Sequence, residues 1–192
     1  MKPIAKLSAV LMIAVAASTS SVAAPQTYAV DSTHTFPRFS YSHFGMSTQL
    51  SRFDKTSGIV KLDTDAETGE VEVTIDMRSV DTGYATFDEH IQGPEFLNTT
   101  AYPTATFKST HVAFKDGRPA KIHGDLTIKG ITKPVSLTVT NFVKLKHPLL
   151  NKDAIGADAV AVINRSDFNA AKYAPNVGDQ VTINISLEAI AN

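Results

Sequence analysis

The strongest constraint on this chain is a strict alternation of apolar and polar side chains. Val71, Val73, Ile75 and Met77 alternate without a fault against Glu72, Thr74, Asp76 and Arg78, the period-two pattern of a strand with one buried and one wet face. The pattern returns through Ala120, Ile122, Gly124, Leu126 and Ile128, through Val135, Leu137, Val139, Asn141 and Val143, and through Val181, Ile183, Ile185 and Leu187. Asp116-Gly117, between Thr104 to Phe114 and the run that begins at Ala120, marks a hairpin. Further strands are read at Tyr28 to Asp31, His34 to Phe44, Phe53 to Asp63 and Ile155 to Ile163. Gly45 to Thr48 is a connection, Ser57-Gly58 a bulge or bend, and Asn164 to Gly178 a long polar loop. Pro37 puts its strand at an edge or a bulge, because proline cannot donate to a ladder.

One stretch breaks the pattern. In Asp81 to Phe107 the pair Thr86 and Glu89 has capping-box spacing, Asp88 and Glu89 suit the first turn of a helix, and Gly93-Pro94 is a stop signal. Phe87, His90 and Ile91 share one face of that short helix by their i, i+3, i+4 spacing. The chain is therefore expected to be an all-β domain of about eight antiparallel strands, with a short helical lid between the fourth and fifth main strands. Sandwich and barrel both satisfy the alternation, and closure into a barrel removes exposed edges.

Lys2 and Lys6, an apolar run from Leu7 to Ala17 and the ending Val22-Ala23-Ala24 read as a secretory signal peptide over 1–24, cleaved after Ala24. The run is short of the ~20 apolar residues that a membrane span needs. The remaining 168 residues, 25–192, form one domain, with a periplasmic location expected. The absence of cysteine excludes disulfides, thiol catalysis and Cys-zinc sites. Loss of Lys2 and Lys6 leaves 16 basic against 19 acidic side chains, scattered without runs, so no nucleic-acid partner is expected.

Seven of the ten phenylalanines lie between residues 36 and 107, with Tyr41, Tyr84, Tyr102 and Met46 among them. An interior with bulky aromatics on one side and small or branched residues on the other either packs as a filled core or leaves a ligand cavity. The six histidines show no H-x-H, H-x-x-x-H or HExxH spacing, and His111 with His123 across the hairpin lacks a third ligand, so no metal site is expected. His43, at the end of an aromatic strand face, and His90, on the helix, are candidates for a cavity mouth. No G-x-S-x-G elbow is present, and helix capping accounts for Asp88 and Glu89, so the chain is not read as an enzyme and no catalytic residue or catalytic cofactor is assigned.

Several stretches line up in order with a known pattern: F-S-Y-S-H-F-G at 39–45, R-F at 52–53, S-V-D-T at 79–82, E-H-I-Q-G-P-E-F-L at 89–97, Y-P-T-A-T-F-K-S-T at 102–110 and G-D-L-T-I-K-G-I-T-K-P-V at 124–135. Through them the chain resembles the YceI-like family of exported polyisoprenoid-binding proteins, over essentially all of 25–192. The resemblance implies an antiparallel barrel of lipocalin type holding a long isoprenoid lipid, an isoprenoid quinone or a polyprenyl phosphate, as ligand. It implies a barrel lining of Phe39, Tyr41, His43 and Phe53, lid contacts from Phe87, His90 and Ile91, and a wall completed by Phe96 and Phe107. Phe44 and Met46 join the candidate ligand-binding residues, with Arg52 as a headgroup cation and Arg165 as a weaker one. Where the family often carries Lys or Arg this chain has Gln92, which tilts the expectation towards a neutral headgroup. The expected function is an exported carrier or sensor of that lipid, with a homodimer and a transient membrane or membrane-protein contact as candidate partners. The alternative is a stress-related interaction protein with a packed barrel that binds a membrane redox partner.

Overall fold

The computed structural model describes residues 24–192; the expected leader, apart from its last residue, lies outside them. The chain runs through β1 (Gln26–Val30), β2 (Phe36–His43), β3 (Ser47–Phe53), β4 (Thr56–Asp63), β5 (Thr68–Asp76), β6 (Val80–Asp81), α1 (Ala85–Ile91), β7 (Thr104–Lys115), β8 (Arg118–Ile128), β9 (Ile131–Lys146), β10 (Asp153–Asn164) and β11 (Gln180–Ala191). Neighbours pair antiparallel around a ring of eight strands, β1-β4-β5-β7-β8-β9-β10-β11, and β1 closes it on β11. Of the sandwich and the barrel that the alternation allows, the closed barrel, which the family resemblance implies, is the fold observed.

The ring forks. β11 pairs with β1 through Ala189 to Ala191, and with β2 through Thr182 to Ser186. β2 carries β3, and β3 carries β6, so one end of the barrel is walled by β1 and β4 and the other by β2 and β3. At the fork Leu187 and Glu188 pass from one partner to the other. There the fully buried Thr35 supplies what the ladder does not: its hydroxyl donates to the Glu188 carbonyl at 3.2 Å and accepts from the Glu188 N–H at 3.1 Å.

Three departures from the alternation have local causes. β3 is a separate strand in a hairpin with β2, where a connection and one long strand were expected. The face that ends in the buried Phe53 carries Gln49, which is exposed, and Ser51, so the strand shows no apolar period, and the chain bends at Asp54 before β4 begins. Gly58 is not a bulge: β4 stays in register with β5 through it, and a Cβ there would lie 2.2 Å from the Glu72 carbonyl oxygen. In β9 the register slips beside Asp158 and Ala159, so that Val139 pairs with Ala159 but Asn141 with Asp158. The slip leaves Thr140 out and turns Phe142 inward, with Val143 and Leu145 outward instead of the expected Asn141 and Val143 inward.

The prolines sit where a strand has one ladder partner. Pro37 pairs with Ile185 and lies one residue beyond the β2–β3 ladder, and Pro119 precedes the β8–β9 ladder that starts at Lys121. Pro134 precedes the β9–β10 pairing. The Asp116-Gly117 turn takes positive φ at both residues, 53° and 72°, as a tight hairpin requires.

Candidate binding cavity

The forked end of the barrel, called the upper end below, is covered by α1 and by the loops at 92–103 and 165–178. α1 presents Ile91 to the interior, buried against Phe53, Met77, Val80 and Ala105, with Phe87 packed on the same cluster, as the helical spacing predicts. Its start differs from the sequence expectation. Tyr84 is the N-cap, so Thr86 lies inside the first turn and forms no capping box. Asp88 instead accepts from the Thr82 N–H and hydroxyl, both at 2.7 Å, and ties the helix back to the chain that leads in from β6.

Beneath this cover lies a cavity of about 460 Å³, within the ~300–1,000 Å³ range of small-molecule sites. The interior is therefore not a filled aromatic core. Phe39 packs on Phe53 at 5.3 Å and on Tyr41 at 6.3 Å between ring centroids, forming one wall. Phe87, His90, Phe96 and Tyr173 form a second row, at 5.9, 4.9 and 6.0 Å between successive rings. His43 and Phe44 meet edge to face at 4.5 Å on the tip of the β2–β3 hairpin, and the half-exposed Phe44 and Tyr173 carry the lining out to the surface. A smaller cavity of about 130 Å³ continues below, sharing Pro37, Ile75, Leu126 and Ile183 with the first.

The candidate residues fall as follows. Phe39, Tyr41, His43, Phe44, Phe53, Phe87, His90, Ile91 and Phe96 all line the upper cavity. Phe107 lines the lower one and packs on Leu126 and Leu137. Met46 does not reach either: it is 84% exposed at the hairpin tip. Arg52 is likewise no headgroup cation in this arrangement, because its position in β3 turns it away from the cavity face of Phe53. It pairs there with Asp54 at 2.7 Å and Asp81 at 3.4 Å, over the Phe36 ring.

Arg165, expected as a free cation on a loop, is spent otherwise. Its guanidinium donates to the carbonyls of Ala170, Lys172, Val177 and Gly178 and pins the 165–178 loop over the cavity. Burial pushes its pKa down and that of the neighbouring Tyr41 phenol up. Gln92 is also committed: its amide donates to the Asp88 carbonyl at 3.1 Å and accepts from the Thr99 hydroxyl at 3.2 Å. Ile75, Met77, Phe168, Val177 and Tyr173 were missed as lining. The first two were legible in the buried alternation of β5, which Met77 continues into the 3-10 turn just past the strand, but the others come from a loop without a period.

Two polar clusters stand apart from the cavity. His111 and His123 stack at 6.1 Å across the hairpin. Asp31, His34 and Glu188 lie within ligating distance of one another, where the hydrogen bonds of Asp31 to Thr33 and His34 account for the arrangement.

The model of the YceI-like domain matches residues 28–189. The chain belongs to the YceI-like family. Among YceI-like relatives, Protein YceI of Shigella flexneri is 37% identical over 172 residues, 89% of each chain. A UPF0312 protein of Pectobacterium carotovorum is 35% identical over 190 residues, 98% of this chain and 97% of its own. Among solved structures, Burkholderia cenocepacia BcnA superposes with a TM-score of 0.69 at 29% identity, covering 83% of this chain and 99% of its own. A polyisoprenoid-binding domain from Saccharophagus degradans, implicated in plant cell wall breakdown, shares the fold at a TM-score of 0.65 and 19% identity, covering 87% and 99%.

Proposed function

We propose that this YceI-like protein is an exported, non-enzymatic carrier or sensor of a long-chain isoprenoid lipid with an uncharged headgroup, of the isoprenoid quinone kind, working in the periplasm. The observation that carries the reading is the apolar cavity, which opens beside Phe44 and Tyr173 and continues into a narrower space below. That shape suits a long, thin, apolar chain. A tail of about eight isoprene units has roughly forty carbons, and at ~0.8 kcal/mol per buried CH₂ its burial outweighs the ~4–15 kcal/mol cost of association. The fold shared with a domain described as polyisoprenoid-binding is consistent with it.

The uncharged headgroup is our reading of where the cations go. Of the two guanidinium groups beside the upper cavity, Arg165 serves four backbone carbonyls, and Arg38 donates to the Ser186 hydroxyl and lies over Phe36. A diphosphate entering the mouth would meet Arg38 alone with N–H donors to spare, one cation against several negative charges, and burying the remainder unpaired is costly. A quinone needs only hydrogen bonds, which His43, His90 and the Tyr41 hydroxyl offer. Organic extraction of the purified mature protein followed by mass spectrometry is expected to release a neutral isoprenoid. Protein that is consistently empty and takes up no added quinone would overturn the reading; recovery of a polyprenyl phosphate would overturn its headgroup.

A further inference from the structure

The end of the barrel opposite α1 carries a feature that the cavity does not explain. β9 runs on past β8, which leaves it after Thr138, and continues to Lys146 paired only with β10, which itself stays on β11 as far as Ala154; the β9–β10 turn closes this overhang. Its tip, 147–152, is a built turn. The His147 N–H donates to the Lys152 carbonyl at 2.7 Å and the Asn151 N–H to the His147 carbonyl at 2.9 Å. Nδ1 of His147 accepts from the N–H groups of both Leu149 and Leu150, at 3.2 Å each. These bonds hold two leucines out in water, Leu149 87% and Leu150 56% exposed.

Exposed leucines scattered singly would be unremarkable, but these are continued along the stem. The register slip in β9 turns Val143 and Leu145 to the outer face, where both are exposed. The other face of the stem carries Lys144 and Lys146, and Lys152 closes the tip. From 143 to 152 there is no acidic residue; the first is Asp153, across the ladder from Lys146. Among the described residues none of these three lysines belongs to an ion pair, although seven such pairs form elsewhere. An apolar point flanked by unpaired ammonium groups on long stems is complementary to one kind of surface. The leucines suit the acyl boundary of a bilayer, and the lysines suit anionic headgroups at its edge.

We propose that the β9–β10 hairpin tip is a membrane-docking element for anionic phospholipid bilayers, with Leu149 and Leu150 inserted and Lys144, Lys146 and Lys152 at the headgroups. Docking by this tip turns the lower end of the barrel, where Phe142 and Ile155 line the smaller cavity, towards the bilayer and leaves α1 on the far side. It uses none of the upper-cavity residues, so it stands whatever the cavity holds. A second copy of the chain would also cover leucines, but Lys144 and Lys146 of β9 and Lys152 of the turn would then be brought against the same lysines of that copy.

The test is co-flotation of the full mature chain with phosphatidylcholine vesicles, with and without phosphatidylglycerol. Binding is expected only with phosphatidylglycerol and is expected to fall as salt is added. Leu149→Ser with Leu150→Ser should weaken that binding about tenfold or more, and Lys144→Gln, Lys146→Gln and Lys152→Gln together about a hundredfold. All five positions are exposed, so thermal unfolding and the lipid extracted from the protein should be unchanged. Equal binding to neutral and anionic vesicles, or none to either, would overturn the proposal. So would a wild-type dimer that the double serine variant converts to monomer, since a second copy would then be the occupant.

Discussion

At the lower end of the barrel Tyr28 and Ala189 are fully buried and pack with Val60, Leu62, Ile155 and Ala191; at the upper end Phe39, Tyr41, Phe53, Phe87 and Phe96 surround about 460 Å³ of space. The same sheet makes both walls, so the difference lies in what each large side chain faces. Tyr28 is set opposite Ala191, and Val30 opposite Ala189, so each bulky group has a small one to fill against. Phe39 instead meets Phe53 and Tyr41, ring beside ring, and rigid plates at 5–6 Å leave a space that no small residue closes. The fork widens that end further, replacing β1 and β4 with β2, β3 and a helical cover. A core and a cavity can thus share one barrel when large-to-small pairing holds in one half and lapses in the other.

The contrast predicts its own largest effect. Tyr28→Ala removes a fully buried ring packed on Val60, Leu62, Ile155, Ala189 and Ala191 and should cost about 3–5 kcal/mol in denaturant unfolding. Phe39→Ala removes a ring that already borders empty space and should cost less than about 2 kcal/mol, while the lipid recovered by extraction falls. Equal stability losses at the two positions, with unchanged lipid, would break the distinction between the halves.

Much of this was legible in the sequence because period two survives wherever a strand faces a core. β5, β8 and β11 show it plainly, and the clustering of phenylalanines between 36 and 107 marks the half that holds the cavity. β3 was not legible, since Gln49 and Ser51, on the face of Phe53, erase the period. Nor was the register slip in β9, which depends on how β10 packs beside it and not on local residue type. The helix face was readable from Phe87, His90 and Ile91, whereas its cap was not, because Asp88 reaches back six residues to Thr82. Arg52 and Arg165 read as free cations because a sequence gives no sign of which carboxylates or carbonyls fold against them.

The seam between the halves carries the next effect. Thr35 is the side chain that satisfies Glu188 where β11 changes partners. Thr35→Val keeps the shape and removes the hydroxyl; the Glu188 carbonyl keeps the Asp31 N–H, but the part-buried Glu188 N–H loses its partner, at a cost of about 1–3 kcal/mol. Amide exchange at Glu188 should accelerate with little change at Tyr28. If Glu188 stays protected while the lower core loosens, the fork is not an independent seam and the two halves unfold as one packing unit.

The smallest effect lies in the turn that enters the seam. Hydrogen bonds from Thr33 and from His34 hold the Asp31 carboxyl down at about 2, against 3.8 ordinarily. The same bond to Asp31 raises the His34 imidazole above its ordinary 6.5. The depressed acid stabilises the fold fully above its ordinary value and loses that contribution as pH falls towards 2. The raised imidazole stabilises it fully below 6.5 and loses that contribution as pH rises through its folded value. Both are present in full only between about pH 4 and pH 6.5 and fade progressively on either side. Asp31→Asn should therefore lower the urea midpoint most at pH 5 and less at pH 3 and pH 8, by less than Thr35→Val does at any of them, because the pair is exposed and solvent screens it. A loss that stays constant across this range would mean that the turn is held by its backbone and by the Asp31 N–H bond to Glu188, with the side-chain pair contributing nothing to the seam.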